Sequence, residues 1–405
     1  AIRAEFPILD QSVHGHPLVY LDSAATAQKP RCVIDAEADF YRHDNAAVHR
    51  GAHELAARST VAFERARASM ARLVGACADE GGEEIVVTGG ATAGLNLLAT
   101  AFGNASLGRG GSAAARFALH PGDEIVVSMA ARTGATLKWL DLDEEGRIRS
   151  DMADEVITER TRVVAVTHVA NVTGAITDLA PIIRRAHAVD ALVVLDACQS
   201  VPHLKVDVHA LDVDFAVWSA HKMYGPTGVG FLYGRRELLE ALPPANFGGS
   251  MVELAWMDRP AQYMAPPAKF EAGTQPVAQV VAAGAAAEWM MAIGMDAIAA
   301  HEHAVAAELL KLGDVDGVRI LGPRENRDRI GTVAFDVDGV HPHDVGQFID
   351  AQGIAIRVGH HCAQPVHRHF GLYASNRASS GVYNSVADAQ ALVEAVSKVR
   401  AFFRV

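Results

Sequence analysis

Short apolar runs alternate with longer stretches in which apolar residues return at helical spacing. The runs EIVVT, EIVVSM, TLKWLDL, VVAVTHV, ALVVLDA and DFAVWSA lie between residues 83 and 220. Runs apolar at nearly every position suit strands covered on both faces, so the pattern predicts an α/β fold with a mainly parallel sheet. Flanking helices are expected from Ala52 to about Val74 and from Pro276 to about Ile293. After Ala297 the rhythm shortens to RILG, GTVAFDV, a helix from Pro342 to Ala351, IAIRVG and a helix near Ala387. The expected division is an N-terminal segment, 1–20, packing on the small domain, a large domain, 21–293, and a smaller α+β C-terminal domain, 294–405. The stretch LGRGGSAAARF at 107–117 reads as a loop and lacks the strand-then-helix setting of a phosphate cradle.

One spacing conflicts with the pattern. EIVVSM and TLKWLDL are separated only by AARTGA, whereas a parallel crossover takes about a dozen residues. Either the two strands are not parallel neighbours or a segment is missing near Met129–Arg132, and the second is the expectation.

Composition narrows the partners. The 405-residue chain carries a formal charge of −12 and is half hydrophobic. It is long enough for about two domains. The acidic balance gives no broad footprint for nucleic acid or an anionic membrane. Cys32, Cys77, Cys198 and Cys362 are too scattered for a disulfide framework or metal clip, which favours a reducing, cytoplasmic setting. No apolar run approaches the roughly 18 residues of a membrane span, and the charged opening AIRAEFPILD suggests a soluble protein without a surviving targeting signal.

Three segments converge if the strands end at one edge of the sheet, where open α/β folds bind ligands. Asp196 closes LVVLD, where a carboxylate serves either a cationic partner or a helix N-cap. Lys222 sits in SAHKMYGPTG with Ser219 and His221 beside it; such a lysine is either a reactive amine or simply solvated. TGGATAGLN at 88–96 turns into a helix whose free amides and Thr92 suit a phosphate. A phosphate site, a carboxylate for a ring nitrogen and an amine for an aldehyde together point to pyridoxal 5′-phosphate (PLP). In the C-terminal part, RVGHHCAQP places Cys362 after two histidines and near Arg357, neighbours that favour a thiolate. A buried structural cysteine and a metal ligand are the alternatives, although no second ligand cluster has zinc spacing.

DACQS and SAHKMYGPTG resemble the PLP-binding segments of fold-type I enzymes of the class V aminotransferase and cysteine desulfurase group. RVGHHCAQP, with YLDSAATAQKP, VHRGAHELA and NRASSGVYNS, resembles the group II, SufS- and CsdA-like, cysteine desulfurases along nearly the whole chain. The resemblance implies a fold-type I PLP-dependent transferase. It makes Lys222 the lysine that carries the coenzyme, Asp196 the partner of the pyridine nitrogen, and Gln199 the partner of the ring hydroxyl, with Asn171 nearby. Thr92, Ser219 and His221 would hold the phosphate. Gly273 and Thr274, in FEAGTQP, would reach the neighbouring subunit's phosphate, implying a homodimer. Arg377 would grip the substrate carboxylate, with Arg357, His53, Ala24, Ala25 and Asn171 around the substrate channel. Without the resemblance, Arg377 reads equally as an inter-element salt bridge and His53 as an ordinary helix-face histidine.

The implied reaction converts L-cysteine to L-alanine and leaves sulfur as a persulfide on Cys362. A SufE- or SufU-like acceptor would carry that sulfur toward iron–sulfur cluster assembly. His343, in HPHD, is the residue that would contact a zinc-bearing acceptor. Two departures stand out: Ala91 and Ala93 replace the usual threonine and acidic residue of the phosphate turn, and no ring-stacking histidine follows Met129. The second coincides with the short crossover and is expected to lie in the missing segment. Alternatives are a selenocysteine lyase, another class V PLP enzyme such as an aminotransferase, or a non-catalytic scaffold of sulfur assembly.

Overall fold

A computed structural model describes residues 2–76, 82–126 and 134–405. Its centre is a seven-stranded sheet of β1 (Ile85–Thr88), β2 (Glu124–Val126), β3 (Thr136–Leu137), β4 (Thr161–Thr167), β5 (Leu192–Asp196), β6 (Phe215–Ser219) and β7 (Gly230–Gly234). The order is β1-β7-β6-β5-β4-β2-β3. Neighbours from β6 to β3 are parallel, and β7 runs antiparallel to both β1 and β6. This is the architecture expected from the apolar runs, with β7 an additional strand that they did not single out.

Alternate residues of each strand feed different cores, as a period of two requires. Ile85, Val87, Val193, Leu195, Ala216 and Trp218 join the core beneath α1 (Glu54–Leu73), α3 (Leu179–Ala188) and α4 (Val277–Ile293). Val86, Leu192, Val194, Phe215 and Val217 face α2 (Ala91–Ser106). Burial on both faces explains why these strands lack polar alternation. A Cβ on Gly284 of α4 would stand 2.5 Å from that of Ala66 on α1. Only glycine lets these two helices approach so closely.

β2 and β3 pair in parallel, Glu124 with Thr136 and Ile125 with Leu137. They are therefore parallel neighbours despite the short spacing, which sets aside one of the two readings above. Met129–Arg132 lie outside the described residues. The 107–117 stretch is not wholly irregular: Ser112–Phe117 forms a 3-10 helix whose Phe117 is buried against Phe102.

Beyond α4, α5 (Met295–Leu309), α6 (Pro342–Asp350) and α8 (Val386–Ser397) pack on an antiparallel sheet. Its strands are β8 (Val318–Leu321), β9 (Thr332–Val337), β10 (Arg357–Gly359) and β11 (Ser375–Ser379), in the order β8-β9-β11-β10. α7 (Gln364–His369) follows β10. The N-terminal chain runs alongside: Val19–Tyr20 pairs with Ile354–Ala355, and Asp22 bridges to Ser379. Among the described residues no single helix is long and apolar enough to cross a membrane.

Candidate active site

Register brings the chemistry to one edge of the large sheet. Thr167 pairs with Asp196 and Ser219 with Gly230, which also pairs with Thr88. The carboxyl ends of β4, β5 and β6 therefore lie side by side, and that of β1 shares their edge across the start of β7. Gly90 has φ +124°, and a Cβ on Gly230 would stand 2.5 Å from Gly90 Cα, so two glycines let this turn fold down onto β7. The first amide of α2, Ala91 N, donates to Ser219 Oγ at 2.9 Å. Thr92 follows, exposed, its hydroxyl without a protein partner among the described residues.

Asp196 Oδ1 accepts from Cys198 N at 3.0 Å, so the carboxylate also acts in the local turn. Lys222 ends the short turn Ala220–Lys222 and makes no hydrogen bond or ion pair among the described residues. Cys198 lies within interaction range of Asp196, Ser219 and Lys222; burial pushes its thiol well up, with Asp196 adding to the effect. The neighbouring carbonyl of His221 accepts from Ala27 N, Thr26 Oγ1 and Lys29 Nζ. Burial, with Lys222 and Lys29 nearby, lowers the His221 imidazole to about 4. Gln199, 3% exposed, donates to Ala24 O at 2.9 Å and leaves Oε1 buried without a partner.

A second group assembles between the two sheets. Asn171 Nδ2 donates to His361 O at 2.6 Å, and Asn171 O accepts from Arg377 Nη1 at 3.0 Å. One residue thus joins the loop of Cys362 to Arg377. The exposed Cys362 has φ +60° and His361 φ +51°. Consecutive left-handed non-glycine residues are held only where their surroundings fix them. Arg377, 2% exposed, meets Asp22 Oδ1 at 3.3 Å, while Arg357 makes two contacts of 3.1 Å and one of 2.8 Å to the same carboxylate. Burial lowers Arg377 against the pull of Asp22, and the hydrogen bond to Asp22 raises Arg357.

The remaining sequence-predicted residues stand apart from these groups or at their border. His53 is the N-cap of α1, its Nδ1 accepting from Ala56 N at 3.2 Å, and it contacts none of the groups above. Gly273 is bonded through its amide to Gly249 O at 2.8 Å, and neither it nor Thr274 has a hydrogen bond to Ser219, His221 or Lys222. Ala25 lies in the turn over Asp22, and Ala24 N donates to Ser379 Oγ. His343 is exposed at the start of α6. Sequence reasoning missed Asp22, Lys29 and Ser375, weighed His367 only as a metal ligand within HRH at 367–369, and treated Cys198 only as one of four scattered thiols. Asp22 stood in plain sight within YLDSAAT, but its partners are more than three hundred positions away.

An unpaired amine, a terminal carboxylate, an open helix N-terminus and an orphaned buried amide oxygen at one sheet edge define a fold-type I PLP enzyme. The residues fit that coenzyme, since a hydroxyl donor would satisfy Gln199 Oε1 and an anion the amides of Thr92 and Ala93 in the first turn of α2, which have no acceptor among the described residues. The family model of the class-V aminotransferases matches residues 19–392, and the chain belongs to that family. A probable cysteine desulfurase of Mycobacterium leprae is 47% identical, over 100% of this chain and 97% of the relative. The crystal structure of the cysteine desulfurase CsdA from Escherichia coli superposes with a TM-score of 0.87 at 36% identity, covering 99% of this chain and 98% of that one. An apo cysteine desulfurase from Thermococcus onnurineus NA1 gives 0.89 at 31%, covering 98% and 96%.

Proposed function

We propose that the chain is a PLP-dependent cysteine desulfurase that converts L-cysteine to L-alanine and retains the sulfur as a persulfide on Cys362. The observation that carries this reading is Asn171, which ties the Cys362 loop to Arg377 while standing just beyond the end of β4 in the coenzyme edge.

When bound, the coenzyme supplies an aldehyde for the substrate amine and a cationic ring that accepts electrons from Cα. Asp196 would keep the ring nitrogen protonated, and the amide and hydroxyl of Thr92, the hydroxyl of Ser219 and the imidazole of His221 would hold the phosphate. Lys222 moves the proton from Cα. Arg377, with Arg357 beside it, holds the substrate carboxylate. Cys362 sulfur, as thiolate, attacks the substrate sulfur; the substrate C–S bond breaks and a sulfur–sulfur bond forms. The carbon left behind takes up a proton and departs as alanine.

Further assignments belong to the same reading. The large domain extends over 21–293 and the small over 294–405, with 1–20 docked on the latter. Gly273 and Thr274, in the segment FEAGTQP that resembles one reaching into a neighbouring subunit, would meet the phosphate of a second copy, giving a homodimer. The acceptor is a SufE- or SufU-like protein in the cytoplasm that passes sulfur to iron–sulfur cluster assembly, and exposed His343 would meet the zinc of a SufU-like one. His343→Ala should impair transfer to such an acceptor while coenzyme binding is retained; unchanged transfer removes that contact.

The test of the main reading supplies PLP and L-cysteine and measures alanine together with protein-bound persulfide. Lys222→Ala should lose both products and the visible absorbance of bound coenzyme. Cys362→Ser should keep the absorbance and lose the persulfide. Sustained turnover in either variant overturns the mechanism.

A further inference from the structure

Behind the Cys362 loop, three buried side chains form a hydrogen-bonded row. His367 Nδ1 lies 3.0 Å from Ala363 O, His367 Nε2 lies 3.0 Å from Ser375 Oγ, and the same Oγ lies 3.1 Å from His361 Nε2. All three residues are buried, and neither histidine pairs with a carboxylate among the described residues. Burial lowers His361 to about 3, and a charge on His367, buried without a carboxylate among the described residues, would go uncompensated.

Neutrality fixes every proton in the row. A carbonyl oxygen only accepts, so His367 Nδ1 carries its hydrogen and His367 Nε2 is bare. Ser375 has a single hydroxyl hydrogen and donates it to that bare nitrogen. The contact on the other side of Ser375 Oγ must then be a donation from His361 Nε2–H. His361 is left with its lone pair on Nδ1, a buried atom that has no partner.

The ends of the row are attached to the reacting groups. Ala363 and His361 flank Cys362, and Ser375 shares a face of β11 with Arg377, two positions on. Resting on the desulfurase reading above, we propose that Ser375 and His367 are positioning residues for the Cys362 loop. Their one-way chain of hydrogen bonds holds His361 in a single tautomer and the loop in its left-handed turn. The charged and titratable groups around His361 are Arg377, His367 and Arg357, and the backbone of Ser375 also lies beside the ring, so both acceptors near His361 belong to Ser375.

Amide hydrogen exchange of the holoenzyme reads the loop directly. In Ser375→Ala the peptide spanning His360 to Gln364 should exchange about tenfold faster, the loss of roughly one hydrogen bond. Turnover should fall by about tenfold with KM within about twofold, and Ser375→Thr, which keeps the hydroxyl, should recover both. Unchanged exchange in Ser375→Ala overturns the proposal, as does a Thr variant as impaired as the Ala variant at wild-type melting temperature. Should Ser375→Ala fold poorly, nitrogen-15 spectra of the unmutated protein decide: His361 must be the Nε2–H tautomer and His367 the Nδ1–H tautomer, and the reverse in either sinks the chain. Exchange and tautomer do not depend on turnover. An unmodified enzyme that makes no alanine would therefore remove the desulfurase reading without touching this one.

Discussion

The carboxylate of Asp22 reaches Arg377 at 3.3 Å although that arginine is almost wholly buried, and it is shared with Arg357. Two guanidinium charges face one carboxylate, leaving a net positive charge for a second carboxylate to meet. Replacing Arg377 by Lys keeps the charge and removes the planar fork, so kcat/KM for L-cysteine should fall by about ten- to a hundredfold, chiefly through KM. Steady-state kinetics check this, and a KM equal to wild type would leave Arg377 as a purely structural link.

Thiol reactivity should separate the cysteines of the site. Burial raises the Cys198 thiol, whereas Cys362 is exposed. Iodoacetamide at about pH 7.5 should modify Cys362 and spare Cys198, as read by peptide mass spectrometry.

Stability should depend on a buried ion pair far from the thiol. Arg67 and Glu271 are 2% and 4% exposed at their side chains, with Nη1 to Oε1 at 2.6 Å. Glu271 Oε1 also accepts from Val87 N at 2.7 Å, and Arg67 Nη1 donates to Ile85 O at 2.6 Å. Glu271→Ala leaves Arg67 with Glu64 as its remaining carboxylate, 2.8 Å from Nε, and strands Val87 N without an acceptor, and should cost about 2–3 kcal/mol in urea unfolding. The same variant should loosen the rest of its own segment, FEAGTQP.

Acid should weaken the fold through His168, which burial holds at about 4 against an ordinary value of 6.5. A neutral buried histidine contributes fully above the unfolded value and loses its contribution as pH falls toward the folded one. Between about pH 7 and pH 4.5 the loss is about 2 kcal/mol from this group. His168→Asn should flatten the stability–pH curve by that amount, measured by urea midpoints.

Legibility tracked locality. The strands from Ile85 to Ser219 were readable because both-face burial writes continuous apolar runs, and the segments at their ends followed from strand direction. β7 was not, because GFLYG between two glycine-bearing turns resembles loop punctuation. Thr136–Leu137 shrank from a longer expected strand because this edge position covers little apolar surface. Asp22, Ser375 and His367 acquire meaning only from partners brought by the fold, and no spacing rule links Asp22 to Arg377. His53 carried a family motif, yet its ring is engaged in capping a helix.

Ser375, Asn376 and Arg377 occupy successive positions of β11, fully buried, with Gly359 opposite Ser375 and Arg357 opposite Arg377. Asn376 lies on the other face, where its Oδ1 is 4.0 Å from the Cβ position of Gly346 on α6. The site is therefore written in the parity of one strand. Losing or gaining a residue in the loop before Ser375 changes only a length, but a slip of one inside β11 would send Arg377 and Ser375 into the helix-facing core together and present Asn376 to the substrate. On the proposed reading, carboxylate recognition and the Cys362 loop would fail as one event, so the register of this strand is held more tightly than the length of the loop before it.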